Sequence, residues 1–160
     1  MLPIGQLDGG HVVFGLFSTK VSRRVNEVVF TIFLFYAGLG WVSPNQLLDL
    51  SMGSSFSYLL MILVYLYLLY LATTSMIPRR MDRLMYGAIL FSIQFIVNYF
   101  TGWQGYGGWL LFSLIIGRFL GVYHPPVADN RPLTPFQQVM GWIAVLVFIL
   151  CFSPRPIILE

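Results

Sequence analysis

Twenty consecutive residues, 58–77, contain neither a charged residue nor a proline. A helix of about 20 residues rises about 30 Å, which matches the hydrocarbon thickness of a bilayer. Only 9% of the whole chain is charged and 58% is apolar. A soluble domain carries roughly 25% charged residues, and a chain with far fewer cannot cover a water-facing surface. The sequence therefore predicts an integral membrane protein.

Four further stretches are apolar and almost free of charge. They contain a single charged residue, Arg118. The four stretches are residues 28–42, 84–100, 107–123 and 139–152. Together with the first stretch, they predict an all-α fold, a polytopic transmembrane helix bundle with about four or five full spans. We expect residues 1–160 to form a single integral membrane domain.

The last of these helices has a recognisable beginning. Thr134 is placed to cap it, Pro135 suits the first helical position, and Gln137 completes the spacing of a capping box. The sequence therefore predicts that this helix begins at Pro135.

The basic residues indicate an orientation. Two clusters lie on either side of a pair of predicted spans: Lys20, Arg23 and Arg24, and then Arg79, Arg80 and Arg83. Two crossings return the second cluster to the side of the first, which the positive-inside rule makes cytoplasmic. Arg118 is expected near the same side, where its long side chain can reach the headgroups. Glu27 is expected to pair with Arg23 one helical turn away. No stretch interleaves basic residues for phosphate contacts, which excludes a nucleic-acid-binding module.

The N-terminal stretch is apolar but too short to span a bilayer, and it contains Asp8 and His11. If one helix ran from Asp8 to a surface at Lys20, the carboxylate would lie about 18 Å below that surface. An ionisable group there costs about 2.5 to 3.5 kcal/mol on insertion scales and indicates a functional site. We therefore expect a partial N-terminal membrane helix, which either re-enters the membrane or belongs to a longer, N-terminally truncated chain.

Residues 2–11 read L-P-I-G-Q-L-D-G-G-H. This stretch resembles the second signature, N-x-x-P-x-x-x-L-D-G, of the site-2 protease family of intramembrane zinc metalloproteases. Pro3, Leu7, Asp8 and Gly9 stand at the offsets of that signature, and its Asn would fall one position before Met1. Residues 117–126 resemble, more loosely, the C-terminal part of bacterial members. The resemblance identifies the chain as the C-terminal portion of such a protein, with Met1 as an internal methionine of a longer frame.

The resemblance implies an intramembrane metalloendopeptidase that cleaves membrane-embedded peptide substrates, in a bacterial plasma membrane. Asp8 would be the third protein ligand of a catalytic zinc, whose other ligands are the histidines of an H-E-x-x-H motif with a general-base Glu. Zinc lowers the pKa of its bound water to roughly 7 and polarises the scissile carbonyl. Gly9 and Gly10 would let helices approach closely beside the metal. His11, on the same helical face as Asp8, would support the site from the second shell.

The chain departs from the family in one respect that concerns catalysis. Its histidines are His11 and His124, and its glutamates are Glu27 and Glu160, so no H-E-x-x-H can be formed. Two zinc ligands and the general base are absent from these 160 residues. We therefore expect no catalytic residue in this chain and no proteolysis by the chain alone.

Several alternatives stay open at this point. One alternative to a protease is a non-catalytic relative that binds membrane helices or regulates an active protease. Another is an unrelated membrane carrier or scaffold. The alternative for Asp8 is a helix N-cap, and the alternative for His11 is a hydrogen-bonded residue in the interior of the bundle. Gln94 and Asn98 lie four residues apart on one helix face, which predicts interhelical hydrogen bonds, with contact to a substrate as the alternative.

Overall fold

The computed structural model describes residue 4 and residues 7–17, 19–43, 55–123 and 133–153. Helices are the only regular secondary structure in this part of the chain, so the all-α prediction is confirmed. The helices are α1 (Asp8–Leu16), α2 (Thr19–Gly38), α3 (Ser55–Ala72), α4 (Arg80–Thr101), α5 (Gly108–Ile115) and α6 (Pro135–Cys151). A π-helical segment, Ile116–Leu120, continues α5.

Helix α4 is the one helix among the described residues that is long and apolar enough to cross a membrane. Only 22% of its apolar window is buried, whereas the core helix of a soluble protein would be mostly buried. Three shorter apolar helices cover Phe56–Ala72, Gly108–Leu120 and Pro135–Cys151. The helices thus agree with the predicted class, while a bundle with four or five full spans stays a prediction.

The helix ends differ from the predicted spans for local reasons. Helix α3 ends at Ala72, before the predicted end at residue 77. There the Thr73 hydroxyl donates to the Leu69 carbonyl at 2.9 Å and the Thr74 hydroxyl to the Leu71 carbonyl at 2.7 Å. The backbone N–H of Thr74 bonds to the Leu71 carbonyl only three residues back, and that of Ser75 donates to the Gly117 carbonyl instead of to Leu71, so the helical pattern ends here. Helix α2 likewise starts at Thr19, so that its first half carries the basic cluster.

Two compact units divide the chain. The first contains residues 1–30 and 120–160, and the second contains residues 31–119. Helix α2 contributes its first part to one unit and its second part to the other. The prediction of a single membrane domain concerns the whole chain and is not decided by this division.

In the first unit, α1 packs against α6. The rings of Phe17 and Trp142 meet edge to face, with centroids 5.7 Å apart. A Cβ atom at Gly141 would come within 2.8 Å of Leu16 Cδ2, so glycine is what lets the two helices approach at this point. No residue of α6 is buried.

Helix α1 ends at Leu16, and Phe17 adopts an extended backbone with φ −118° and ψ 160°. The assumption of one continuous helix from Asp8 to Lys20 is therefore wrong. The apolar pattern runs through this point, but the backbone N–H of Phe17 makes the last bond of the helix, to the Val13 carbonyl, and the backbone of Phe17 is extended. Nine helical residues rise only about 13 Å. The estimated depth of Asp8 does not apply to this geometry.

The predicted start of α6 is confirmed. Thr134 is the N-cap, Pro135 is the first helical residue, and the reciprocal capping box is complete. The Thr134 backbone N–H donates to Gln137 Oε1 at 2.9 Å, and the Gln137 backbone N–H donates to Thr134 Oγ1 at 3.4 Å. All the residues involved lie within four positions of each other, so the sequence alone was sufficient to identify them.

In the second unit, α3 packs against α4 and α5 around a buried amide. Gln94 Nε2 donates to the carbonyls of Leu34 (3.1 Å) and Phe35 (2.9 Å), and Tyr65 Oη donates to Gln94 Oε1 at 2.8 Å. We call these four residues the amide cluster. It ties α2, α3 and α4 together, which confirms the interhelical prediction for Gln94.

The corresponding prediction for Asn98 is wrong. Asn98 Nδ2 donates to the Trp103 carbonyl at 2.7 Å, in the loop that follows its own helix. Gly102 ends α4 in the left-handed region, with φ 66°, and turns the chain back towards Asn98. The turn supplies a nearer acceptor than a neighbouring helix does.

Candidate metal-ligand site on helix α1

Asp8 occupies the first turn of α1 and its side chain is exposed. The N-cap residue is Leu7, with φ −74° and ψ 158°, and no side chain caps this end of the helix. Among the residues that the structure describes, none bonds to the Asp8 carboxylate. The alternative of Asp8 as an N-cap therefore does not describe this helix. Its negative charge is favourable at the positive end of the helix dipole.

The residues beside Asp8 divide into a packed and an exposed side. Gly9 and Gly10 are buried, while His11, one turn after Asp8, is exposed and has an interaction of its own. A buried Gly-Gly pair next to an exposed carboxylate brings backbone close to the site and leaves the carboxylate accessible. The resemblance implies that helices approach closely beside a metal at Gly9 and Gly10, and this stays a prediction.

Two cavities border the contact of α1 with α6. The first, about 250 Å³, is lined by apolar residues of the two helices and by Val25 of α2. We call it the apolar cavity; Gly9, Val13, Phe17, Trp142 and Phe148 are among its lining residues. The second, about 350 Å³, is lined partly by His11 and Gln137. Gly9, next to the candidate ligand Asp8, thus lines the apolar cavity, and His11 lines the second, more polar cavity.

The donors on α1 do not form a complete zinc site. In the described ranges, no group of three or more His, Cys, Asp or Glu side chains could hold a metal ion. His124, the second histidine, lies outside those ranges. A catalytic zinc needs three protein ligands, and α1 offers the Asp8 carboxylate with one imidazole a turn later. The described residues therefore offer Asp8 and His11 here and no full set of three ligands.

A polar cluster that the sequence did not reveal in full lies in the same unit. The expected pair of Arg23 and Glu27 is confirmed, at 3.4 Å. In addition, Tyr123 Oη donates to Glu27 Oε1 at 2.6 Å, and the Arg23 guanidinium lies 4.4 Å from the centre of the Tyr123 ring. The Tyr123 phenol, followed by the Glu27 carboxylate, raises the pKa of Arg23 above its usual value. No local signal connects residues so far apart in sequence.

Two buried polar side chains of α2 each carry an oxygen that forms no hydrogen bond with the described residues. Ser22 and Asn26 are each 1% exposed, and the Ser22 hydroxyl and the Asn26 carbonyl oxygen are unsatisfied. By helical spacing they share a face with Val25, which lines the apolar cavity. Each unsatisfied group costs about 1 to 3 kcal/mol, so this face lacks a donor. The signal in the sequence was the spacing of Ser22 and Asn26, two polar residues four positions apart beside the apolar Val25.

Comparison of the chain with protein-family models, with curated proteins and with solved structures finds no match.

Proposed function

We propose that this chain is a membrane-embedded part of a zinc metalloendopeptidase that resembles the site-2 protease family, with Asp8 as one ligand of the zinc. The observation that carries the proposal is the position of Asp8. Within L-P-I-G-Q-L-D-G it begins a short helix, exposed and without a described partner, beside buried Gly9 and Gly10. A carboxylate left accessible at such a place is well suited to bind a cation.

The exposed apolar surface supports the membrane part of the proposal. Helix α3 is apolar on every face and exposes Leu59, Leu63 and Tyr67, each by more than half. Helix α6 buries none of its residues. Soluble monomers rarely expose apolar patches larger than a few hundred Å², and helices that are apolar all round are buried or in lipid. Seventeen or eighteen helical residues rise about 26 Å, a length that a slightly thinned bilayer accommodates.

The remaining donors would be supplied by another segment or another polypeptide. These 160 residues contain no H-E-x-x-H, so the two histidines and the general-base Glu would have to meet Asp8 from outside them. When bound, zinc supplies a water molecule that is acidic near neutral pH. The role of this chain would be to hold the Asp8 carboxylate and to let the second helix approach along Gly9 and Gly10. The substrates would be transmembrane peptides, in a bacterial plasma membrane.

The first test is to read the DNA upstream of the Met1 codon in frame. We expect an Asn codon directly before Met1 and an H-E-x-x-H further upstream. A stop codon close to Met1 would remove the intramolecular source of the missing ligands and favour a non-catalytic protein.

The second test measures zinc in the protein purified from the complete open reading frame. Asp8→Ala should reduce zinc affinity at least tenfold and abolish peptide cleavage, because it removes a ligand. Asp82→Ala is the matched control, since Asp82 is also an exposed carboxylate in the first turn of a helix. An Asp8→Ala protein that keeps both zinc and proteolysis would refute the ligand assignment.

A non-catalytic helix-binding protein is the second candidate. The apolar cavity between α1 and α6 favours it, because an apolar side chain of a docked helix could enter that space. This candidate predicts a metal-free protein with a stop codon before Met1.

A further inference from the structure

Three arginines lie at the start of α4, and a fourth, Arg118, follows a residue that bonds to the turn before this helix. Arg79 and Arg80 stand at the start of α4, and Arg83 follows one turn later. The backbone N–H of Ser75, in the turn before α4, donates to the Gly117 carbonyl at 3.2 Å, which brings the neighbouring Arg118 to the same end. We call this surface the arginine end. Asp82 is the only acidic residue among the described residues of this unit.

Arg83 is held in place by three contacts. Its Nη1 donates to Thr74 Oγ1 at 3.3 Å, its Nη2 donates to the Pro78 carbonyl at 3.1 Å, and its guanidinium lies 4.8 Å from the centre of the Tyr70 ring. Its Nε is buried and has no hydrogen-bond partner. A planar guanidinium fixed in this way is pre-organised to keep a positive charge at this position.

The arginines lie where positive charge is least favourable for the helix. The first turn of a helix carries about half a positive charge, and no side chain caps this end of α4. Three arginines are added to that charge, and Asp82 is the one carboxylate among the described residues of this unit that opposes them. An anion bound here would offset the repulsion, and phosphate oxygens match the guanidinium groups of exposed Arg79 and Arg80.

Large apolar side chains surround the arginine end. Met81, Met85 and Phe119 are 69%, 61% and 81% exposed. Free phosphate has no apolar part to contact these side chains. A phospholipid offers its headgroup phosphate to the arginines and its acyl chains to the apolar residues. We propose that the arginine end binds the phosphate of an anionic phospholipid. The inference rests on the membrane location in the proposed function, and it does not depend on zinc or on proteolysis.

The test is a lipid titration of the purified full-length protein in a nonionic detergent, with bound lipid counted by native mass spectrometry. Phosphatidylglycerol should bind more tightly than phosphatidylcholine. The double variant Arg79→Gln/Arg80→Gln should weaken phosphatidylglycerol binding about 25-fold, from roughly fivefold per arginine, and leave phosphatidylcholine unchanged. Both side chains are exposed, so the variant should keep the helical content of the parent.

Lys20→Gln/Arg24→Gln is the matched control, because it removes two exposed basic residues from the other unit. It should leave phosphatidylglycerol binding unchanged; an equal loss would show that net charge, not this surface, attracts the lipid and would overturn the proposal. Displacement of the lipid by millimolar inorganic phosphate would identify free phosphate as the ligand and also overturn it. A protein that binds phosphatidylglycerol at the arginine end but holds no zinc would overturn the protease proposal and leave this one intact.

Discussion

Replacing Gln94 by leucine tests whether the amide cluster holds the second unit together. Leucine has a similar volume, so the change removes three hydrogen bonds with little change in packing. Two groups then lose their partner: the hydroxyl of Tyr65, which is 1% exposed, and the Phe35 carbonyl, which lies in the last turn of α2 without a partner in that helix.

An unsatisfied buried group costs roughly 1 to 3 kcal/mol, so the free energy of unfolding should fall by about 2 to 6 kcal/mol. Adding Tyr65→Phe should recover one of these two costs, because the orphaned hydroxyl is then absent. Double-mutant cycles between helices in a bilayer give smaller couplings, about 0.6 kcal/mol on average. The size of the recovery therefore also reports the environment of the cluster.

The assay is denaturant unfolding of the purified protein in detergent micelles, followed by far-UV circular dichroism. Ser92→Ala is the control, since Ser92 lies on the same helix, is exposed, and donates only within it, to the Ala88 carbonyl at 2.8 Å. A Gln94→Leu protein as stable as the Ser92→Ala protein would refute the reasoning. It would show that other hydrogen bonds replace those of the amide cluster.

Three further changes follow from the same geometry and use the same unfolding assay. Gly38→Ala should lower the free energy of unfolding by about 1 to 3 kcal/mol, because a Cβ atom there would overlap polar atoms of the amide cluster. Gly87→Ala is the control: its Cβ would make an ordinary 3.5 Å contact, so the change should be neutral or slightly stabilising. Equal effects of the two changes would show that the cluster rearranges easily. Thr134→Ala should cost about 1 kcal/mol through loss of the cap of α6, and no loss would mean that the capping box contributes nothing. Tyr123→Phe should cost about 1 kcal/mol, since it removes the 2.6 Å bond to Glu27; an unchanged midpoint would show that water replaces the phenol.

How far the sequence predicts the structure depends on how local the deciding contacts are. The start of α6 was predicted to the residue because Thr134, Pro135 and Gln137 are neighbours. The end of α1 at Leu16 was missed because the apolar pattern continues through it, and periodicity reports the type of a segment better than its boundary. The acceptors of Gln94 were not identifiable, since they are carbonyls some sixty residues away.

The candidate site shows the same division. Asp8 lies at the head of a helix beside buried glycines, and its role as a zinc ligand stays a prediction. The identity of the other zinc donors could not be predicted, because the chain contains no second motif from which to infer them. The partners of Glu27 were half predicted: Arg23 by helical spacing, Tyr123 not at all.

The extended residue Phe17 has a consequence for the order in which the protein is assembled. Because α1 ends there, its orientation is not imposed by the helix that follows directly and depends instead on α6. Helix α6 is translated more than a hundred residues later. A nascent chain therefore carries Asp8 without the support that positions it until Pro135–Cys151 has left the ribosome. Any metal site proposed at Asp8 would therefore form only after α6 has been synthesised and packed against α1.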